Sequence, residues 1–179
     1  MKTPLTYGLI MAVASAVLVI ALYLLGFHSD ATQLGTAQML GGIGGLAIGI
    51  GCLTFGVKAR RAEIPASEPF GYGRALGAGV MITLFAALFG IVTNFAYVSF
   101  INPGFSDVLV QAEMAKLEAK GLGGAQLEGA EKMIRVMMSP VAYTVMGFLA
   151  GMFFGTVISL VVAAVLKRPA TESGPPVVS

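Results

Sequence analysis

Four stretches without a single Asp, Glu, Lys or Arg run through this chain, at 3–29, 31–57, 75–106 and 136–166. Each is long enough to hold the roughly 20 apolar residues that carry a helix across the hydrocarbon of a bilayer. The apolar runs are continuous and do not alternate, which excludes a transmembrane β-barrel. Composition agrees: 56% of residues are hydrophobic, 11% are charged, and mean hydropathy is +0.86. A soluble domain carries about 25% charged residues, so lipid is the solvent this chain suits. The fold class expected is all-α. It is an integral membrane bundle of four transmembrane helices near 5–27, 35–57, 75–101 and 140–166, forming one domain over 1–168. The first stretch also has the outline of a signal peptide, with Lys2 as its charged start and a passable cleavage site at Ser29, Asp30 and Ala31. Its apolar run exceeds the ~7–15 residues of a signal core, so we read it as a retained helix.

Orientation follows from the basic residues. Seven of the eleven, Lys2, Lys58, Arg60, Arg61, Arg74, Lys167 and Arg168, fall on the side of both termini. Lys116, Lys120, Lys132 and Arg135 fall on the other. The Lys58, Arg60 and Arg61 cluster adjoins a helix end, where the positive-inside bias acts most strongly. Both termini are therefore expected in the cytoplasm, with the protein in a bacterial cytoplasmic (inner) membrane. The loop at 58–74 contains Pro65 and Pro69 and is expected to be irregular. The Pro-, Ser- and Gly-containing tail, 169–179, is expected to be disordered.

The segment 102–139 reads as an extracytoplasmic helical hairpin between helices 3 and 4. Asn102-Pro103-Gly104 ends the third span, because proline disfavours helical geometry in the residue before it. Ser106 offers a cap for a helix reaching about Lys120, and Gly121, Gly123 and Gly124 break it. A second helix follows over 125–138, supported by the i,i+4 pairs Glu128 with Lys132 and Glu131 with Arg135. Ser139 and Pro140 then read as N-cap and first residue of the fourth span. At about 100° per residue, Leu127, Ala130, Met133, Ile134, Met137 and Met138 share one arc of the second helix, opposite Glu128, Glu131, Lys132 and Arg135. Only Val136 breaks the pattern. An amphipathic helix of this kind lies on the membrane surface or its own bundle, or serves as a docking face in which methionines adapt to a partner.

Small residues mark the packing of the spans. Gly41, Gly45 and Gly49 recur every fourth residue in the second span, as do Gly147, Gly151 and Gly155 in the fourth, where Ser159 extends the ridge. Such ridges let helix backbones approach closely in lipid. They serve either the bundle itself or a homo-oligomer. Gln38 and Asn94 are the main amides within the spans and are expected to bond between helices.

The chemistry of the chain is sparse. One Cys, Cys52, and one His, His28, build neither a disulfide nor a metal cage. No ionisable group lies within a span, which removes the usual mark of a proton relay or ion pathway. Gly42, Gly44 and Gly45 lack the strand and acidic residue of a dinucleotide fingerprint. A net charge of +2, with basic residues scattered over the loops, gives no nucleic-acid footprint. His28 reads as an interface residue. No catalytic residue, cofactor or metal site is expected, and the protein is read as no enzyme.

The order of short motifs carries one resemblance. Pro4-Leu5-Thr6-Tyr7-Gly8 opens the first span, followed by the Gly-rich second span and the basic loop. Phe70-Gly71-Tyr72-Gly73-Arg74-Ala75-Leu76 leads into the third, Asn102-Pro103-Gly104-Phe105 into the hairpin, and Met138-Ser139-Pro140 into the fourth, which contains Phe154-Gly155. Together they resemble a bacterial membrane family, of Bacteroidota type, catalogued as domain of unknown function 4199. The resemblance spans nearly the whole chain and implies a membrane bundle without supplying an activity. The family often has an acidic residue before the proline that follows the third span, where this chain has Asn102.

By elimination, the expected function is that of a non-enzymatic accessory, assembly or scaffold protein. Its partners would be the lipid bilayer, an unidentified membrane or periplasmic protein, and a second copy of itself. The alternative is a small oligomeric channel or transporter for a neutral or weakly polar solute. The topology is directly testable. In a Cys52→Ser background, cysteine probes at Ala66 and Gln126 are expected to label from opposite sides of the membrane. Labelling from one side would overturn the four-span arrangement.

Overall fold

A computed structural model describes residues 2–169. Apart from Pro169, the expected disordered tail therefore lies outside the described residues. The chain is helical almost throughout: α1 (Lys2–Leu24), α2 (Leu34–Ala62), α3 (Tyr72–Ala96), α4 (Phe105–Ala119), α5 (Ala125–Met137) and α6 (Pro140–Leu166). A five-residue π-helical segment, Tyr97–Ile101, prolongs α3. Four helices, α1, α2, α3 with its π segment, and α6, are long and apolar enough to cross a membrane. Leu24, Phe55, Phe100, Phe153 and Val165 all point outward from the bundle and are well exposed. Monomers in water do not present so much contiguous apolar surface, so this is a membrane protein.

Helix ends follow local chemistry. α1 begins earlier than the expected 5–27 because Pro4 sits in the first turn, where no amide donor is needed. It stops where Gly26 adopts φ +86°, allowing Phe27 N to donate to Leu22 O at 3.0 Å. α2 continues through Lys58, Arg60 and Arg61, since basic residues are good helix formers and mark the edge of the hydrocarbon rather than the end of the helix. α6 starts at Pro140, with Ser139 in the extended conformation of an N-cap. The Ser139 hydroxyl, however, donates back to Val136 O at 2.7 Å and does not cap α6. α4 begins at Phe105, with Gly104 rather than Ser106 in the capping position.

α3 is the central strut, packing most extensively on α6 and α1. The buried side chains gather at the two ends of the bundle. At the end bearing Lys2 and Leu166, Leu53, Val57, Phe70, Ala75, Ile82, Val162 and Ala163 form one core. At the opposite end Leu34, Ala37, Tyr97, Val98, Phe105, Leu109 and Ala112 form another. Between them the helices meet through small residues. A Cβ on Gly79 would stand 2.7 Å from Ser159 Oγ, and one on Gly155 would collide with the Thr83 side chain. A Cβ on Gly8 would stand 2.6 Å from Phe85 Cβ, and one on Gly44 2.7 Å from Leu18.

The loop between α2 and α3 is fixed from a distance. Phe70 N donates to Arg168 O at 2.9 Å and Arg168 N to Phe70 O at 2.8 Å, forming an isolated antiparallel bridge with the Phe70 ring fully buried. The Arg168 guanidinium donates to the carbonyls of Ile64 and Pro65 at 3.2 and 2.9 Å. Arg61 donates to Leu166 O at 3.3 Å, satisfying an orphan carbonyl at the C-terminus of α6. Arg61 and Arg168 of the basic end thus fix the loop to the end of α6.

The six ridge glycines divide. Gly49 and Gly155 are buried, Gly49 facing Ile158 and Gly155 facing Thr83. Gly41 faces Leu22, and Gly147 faces Asn94 Nδ2. A Cβ on Gly45 or on Gly151 would meet nothing within 4 Å. Gly155→Leu is therefore expected to cost about 1–3 kcal/mol or more through overpacking. Gly151→Leu should stay within about 0.5 kcal/mol of wild type, as for other open surface positions. Thermal unfolding in detergent distinguishes the two. Equal losses would mean that the Gly151 face is covered by another chain.

Candidate functional site

The most structured polar site lies at the end of the bundle away from the termini, where the α1–α2 loop, the π segment and the start of α4 converge. His28 is 7% exposed. It sits just beyond Gly26, whose positive φ folds the loop back over the helix ends. Its Nδ1 is 2.5 Å from Tyr97 Oη. Asn102 Nδ2 donates to the same hydroxyl at 3.1 Å and approaches His28 O at 3.5 Å. With one donor already on Tyr97 Oη, the phenol hydrogen is free to go to Nδ1, which places the imidazole proton on Nε2 in the neutral ring.

The π segment makes this meeting geometrically feasible. Asn102 N donates to Tyr97 O at 2.8 Å, a five-residue spacing that inserts one residue into the last turn of α3. Such insertions often accompany functional sites. Aromatic rings enclose the polar atoms. Tyr97 meets Tyr23 and Phe105 edge-on at centroid distances of 6.1 and 5.6 Å, and Phe105 meets Tyr143 at 5.8 Å. The His28 ring lies 4.8 Å from that of Phe105. Burial among these rings pushes the His28 pKa below its ordinary 6.5. His28 is thus a buried, hydrogen-bonded residue just beyond the end of α1, held by partners that a lone histidine in the sequence did not indicate. Asp30 takes no part: its carboxylate accepts from Thr32 N and Oγ1 at 2.8 Å each, which holds its pKa low. Among the described residues no group of three His, Cys, Asp or Glu side chains is placed to hold a metal ion.

The predicted docking face is split by the structure. α5 packs on α4, tied by Arg135, which donates to Asp107 at 3.0 Å and to Glu131 at 2.9 Å. Of the two predicted i,i+4 pairs, only Glu131 with Arg135 closes among the described residues. A shallow groove of about 400 Å³ runs between the two helices, lined by Val110, Met114, Leu127 and Arg135 among others. Leu127, Ala130, Ile134 and Met138 are half-buried. Met133 and Met137 are 67% and 42% exposed, and so is Val136, at 69%. The residue that broke the sequence pattern therefore joins the uncovered face, and no residue of α5 is fully buried.

The amides lie elsewhere. Asn94 is half-buried against Gly147 on α6, and Gln38 is exposed near the start of α2. The glycine ridges lie apart from the His28–Tyr97–Asn102 cluster, whereas Met138 of the α5 arc packs against the buried core that holds Tyr97 and Phe105. A comparison with protein families finds one described as Protein of unknown function (DUF4199) matching residues 6–168. Neither the curated proteins nor the solved structures contain a match.

The cluster predicts a pH dependence. With the folded-state pKa of His28 depressed, neither folded nor unfolded chain is protonated there above about pH 6.5, and stability is complete. As pH falls below that value the unfolded chain takes up the proton first, and stability declines until the folded-state pKa is passed. Thermal unfolding of wild type should therefore drop between about pH 8 and pH 5 more than that of His28→Gln, which cannot titrate. Tyr97→Phe should cost about 1–3 kcal/mol at neutral pH, because it strands both Nδ1 and the Asn102 amide.

Proposed function

The chain belongs to the DUF4199 family, and from that premise, which brings no activity with it, we propose a non-enzymatic accessory, assembly or scaffold protein of the membrane that acts through protein contacts. The observation that carries this reading is the state of α5. It is a strongly amphipathic helix with no residue fully buried and with Met133, Val136 and Met137 open. Each such side chain gains about 1.5–3 kcal/mol on full burial. A helix of this length is also marginal without tertiary support, and α4 supplies only one side of it. In the proposed orientation the seven basic residues at the terminal end face the cytoplasm of a bacterium, and the α4–α5 pair faces outward as the contact module.

The open faces of Gly42, Gly45 and Gly51 on α2 and of Gly151 on α6 favour a second reading. Copies of the chain meeting there would form a small oligomeric channel or transporter for a neutral or weakly polar solute. Solute uptake by liposomes containing the purified protein would decide for it.

The contact reading is tested on α5. Ile134→Asp is expected to free the helix from α4 and raise its amide exchange and protease sensitivity. Lys132→Asp, on the polar side, should do neither. In wild type, Met133 and Val136 should be protected from exchange or labelling in native membranes and open in pure lipid nanodiscs. Equal protection in nanodiscs would assign the face to lipid and remove the case for a protein partner.

A further inference from the structure

A recess of about 580 Å³ opens at the terminal end of the bundle, between the start of α1, the end of α2, the following loop and the first turns of α3. Its mouth carries two cations and two anions, Arg60 with Glu63 and Arg74 with Glu68. Its deeper wall is apolar, with Met81 and Phe85 one and two turns further along α3 than Gly77. α3 is one of the helices long and apolar enough to cross a membrane, and in that setting this wall leads from the level of the charged residues into hydrocarbon.

We propose that this recess binds the headgroup of a zwitterionic aminophospholipid, of which phosphatidylethanolamine is the simplest. The phosphate would lie on the guanidiniums of Arg60 and Arg74, the ammonium on the carboxylates of Glu63 and Glu68, and an acyl chain along Met81 and Phe85. The charge balance selects this class. An anionic lipid such as phosphatidylglycerol would satisfy the arginines and donate its hydroxyls to the carboxylates, but it brings no cation to offset their two negative charges. A choline headgroup carries no N–H to donate to them. The existing ion pairs do not obstruct the ligand. Arg74 with Glu68 is more than half exposed on both sides, and Arg60 with Glu63 about two-fifths. Pairs that exposed contribute little and can be exchanged for a ligand bearing both charges. Arg74 also donates to Pro69 O at 3.1 Å, and Thr3 donates to Glu63, so one member of each pair is held independently of its ion-pair partner. Arginine suits the phosphate because its planar fork gives two parallel bonds.

The test uses the full chain in phosphatidylcholine nanodiscs containing minor, equal amounts of phosphatidylethanolamine and phosphatidylglycerol of the same acyl composition. Lipid retained after extraction is counted by native mass spectrometry. Phosphatidylethanolamine should be enriched about tenfold over phosphatidylcholine, with one molecule per chain. The double variant Arg74→Ala with Glu68→Ala should lose the enrichment. So should Gly77→Leu, which adds bulk at a wall position with nothing within 4 Å and leaves every charge in place. Equal retention of all three lipids, or enrichment that survives in both variants, would overturn the proposal. Preferential retention of phosphatidylglycerol would overturn the assignment to an aminophospholipid. Displacement of the lipid by soluble phosphoethanolamine at comparable concentration would overturn the role of the apolar wall.

Discussion

Lipid tails are as apolar as leucine, so two helices in a bilayer gain little by hiding leucines from their surroundings. What remains is contact distance: backbones must come close enough for dispersion forces to add up. The α3–α6 pair meets that condition at Gly79 against Ser159 and at Gly155 against Thr83. The approach is close enough that Thr83 Oγ1 is buried with no hydrogen-bond partner among the described residues, a penalty the packing outweighs. Ser159 avoids it by donating to Gly155 O at 2.7 Å. Because α3 also carries α1, the rest of the bundle hangs on this contact. The two side-chain cores sit at its ends, where water and headgroups restore a reason to bury apolar groups.

That division explains where polar chemistry can be found. The middle of the bundle has no room for it. The end distant from the termini has a floor of aromatic rings and a loop folded inward by Gly26, and there His28, Tyr97 and Asn102 satisfy one another. The opposite end is stitched by arginines onto carbonyls, with charge left over at its surface. The two ends differ in how their polar groups are held, the first by side chains enclosed among aromatic rings, the second by arginines on backbone carbonyls.

Much of the architecture was legible because hydrocarbon imposes a single requirement, a long run without charge, and each span met it. Pro140 after Ser139 marked the start of α6 because proline fits that position whatever the surroundings. The His28 cluster was not legible. Its members are 69 residues apart in sequence between His28 and Tyr97, and a lone histidine beside a loop carries no sign of which hydroxyl will meet it. The π segment was equally silent, since one inserted residue changes no hydrophobic pattern. The only nearby signal was Asn102 before a proline. Glycine periodicity gave the ridges but not their occupants, as spacing of four says which residues share a face and nothing about what lies opposite. On α5, the arc was visible but its division was not, because α4 covers one edge of it.

The bridge between Phe70 and Arg168 has a consequence for the order in which the fold completes. Synthesis proceeds from the N-terminus, and α1, α2 and α3 are available to pack before α6 exists. The α2–α3 loop, however, takes its backbone partner and its guanidinium clamp from a residue beyond α6. Before α6 is in place the loop lacks that partner, and Phe70 lacks the Val162, Ala163 and Leu166 side chains of its core. Closure of the α2–α3 loop is thereby tied to the arrival of α6, so that the helix last in sequence completes the contacts of a loop near the middle of the chain.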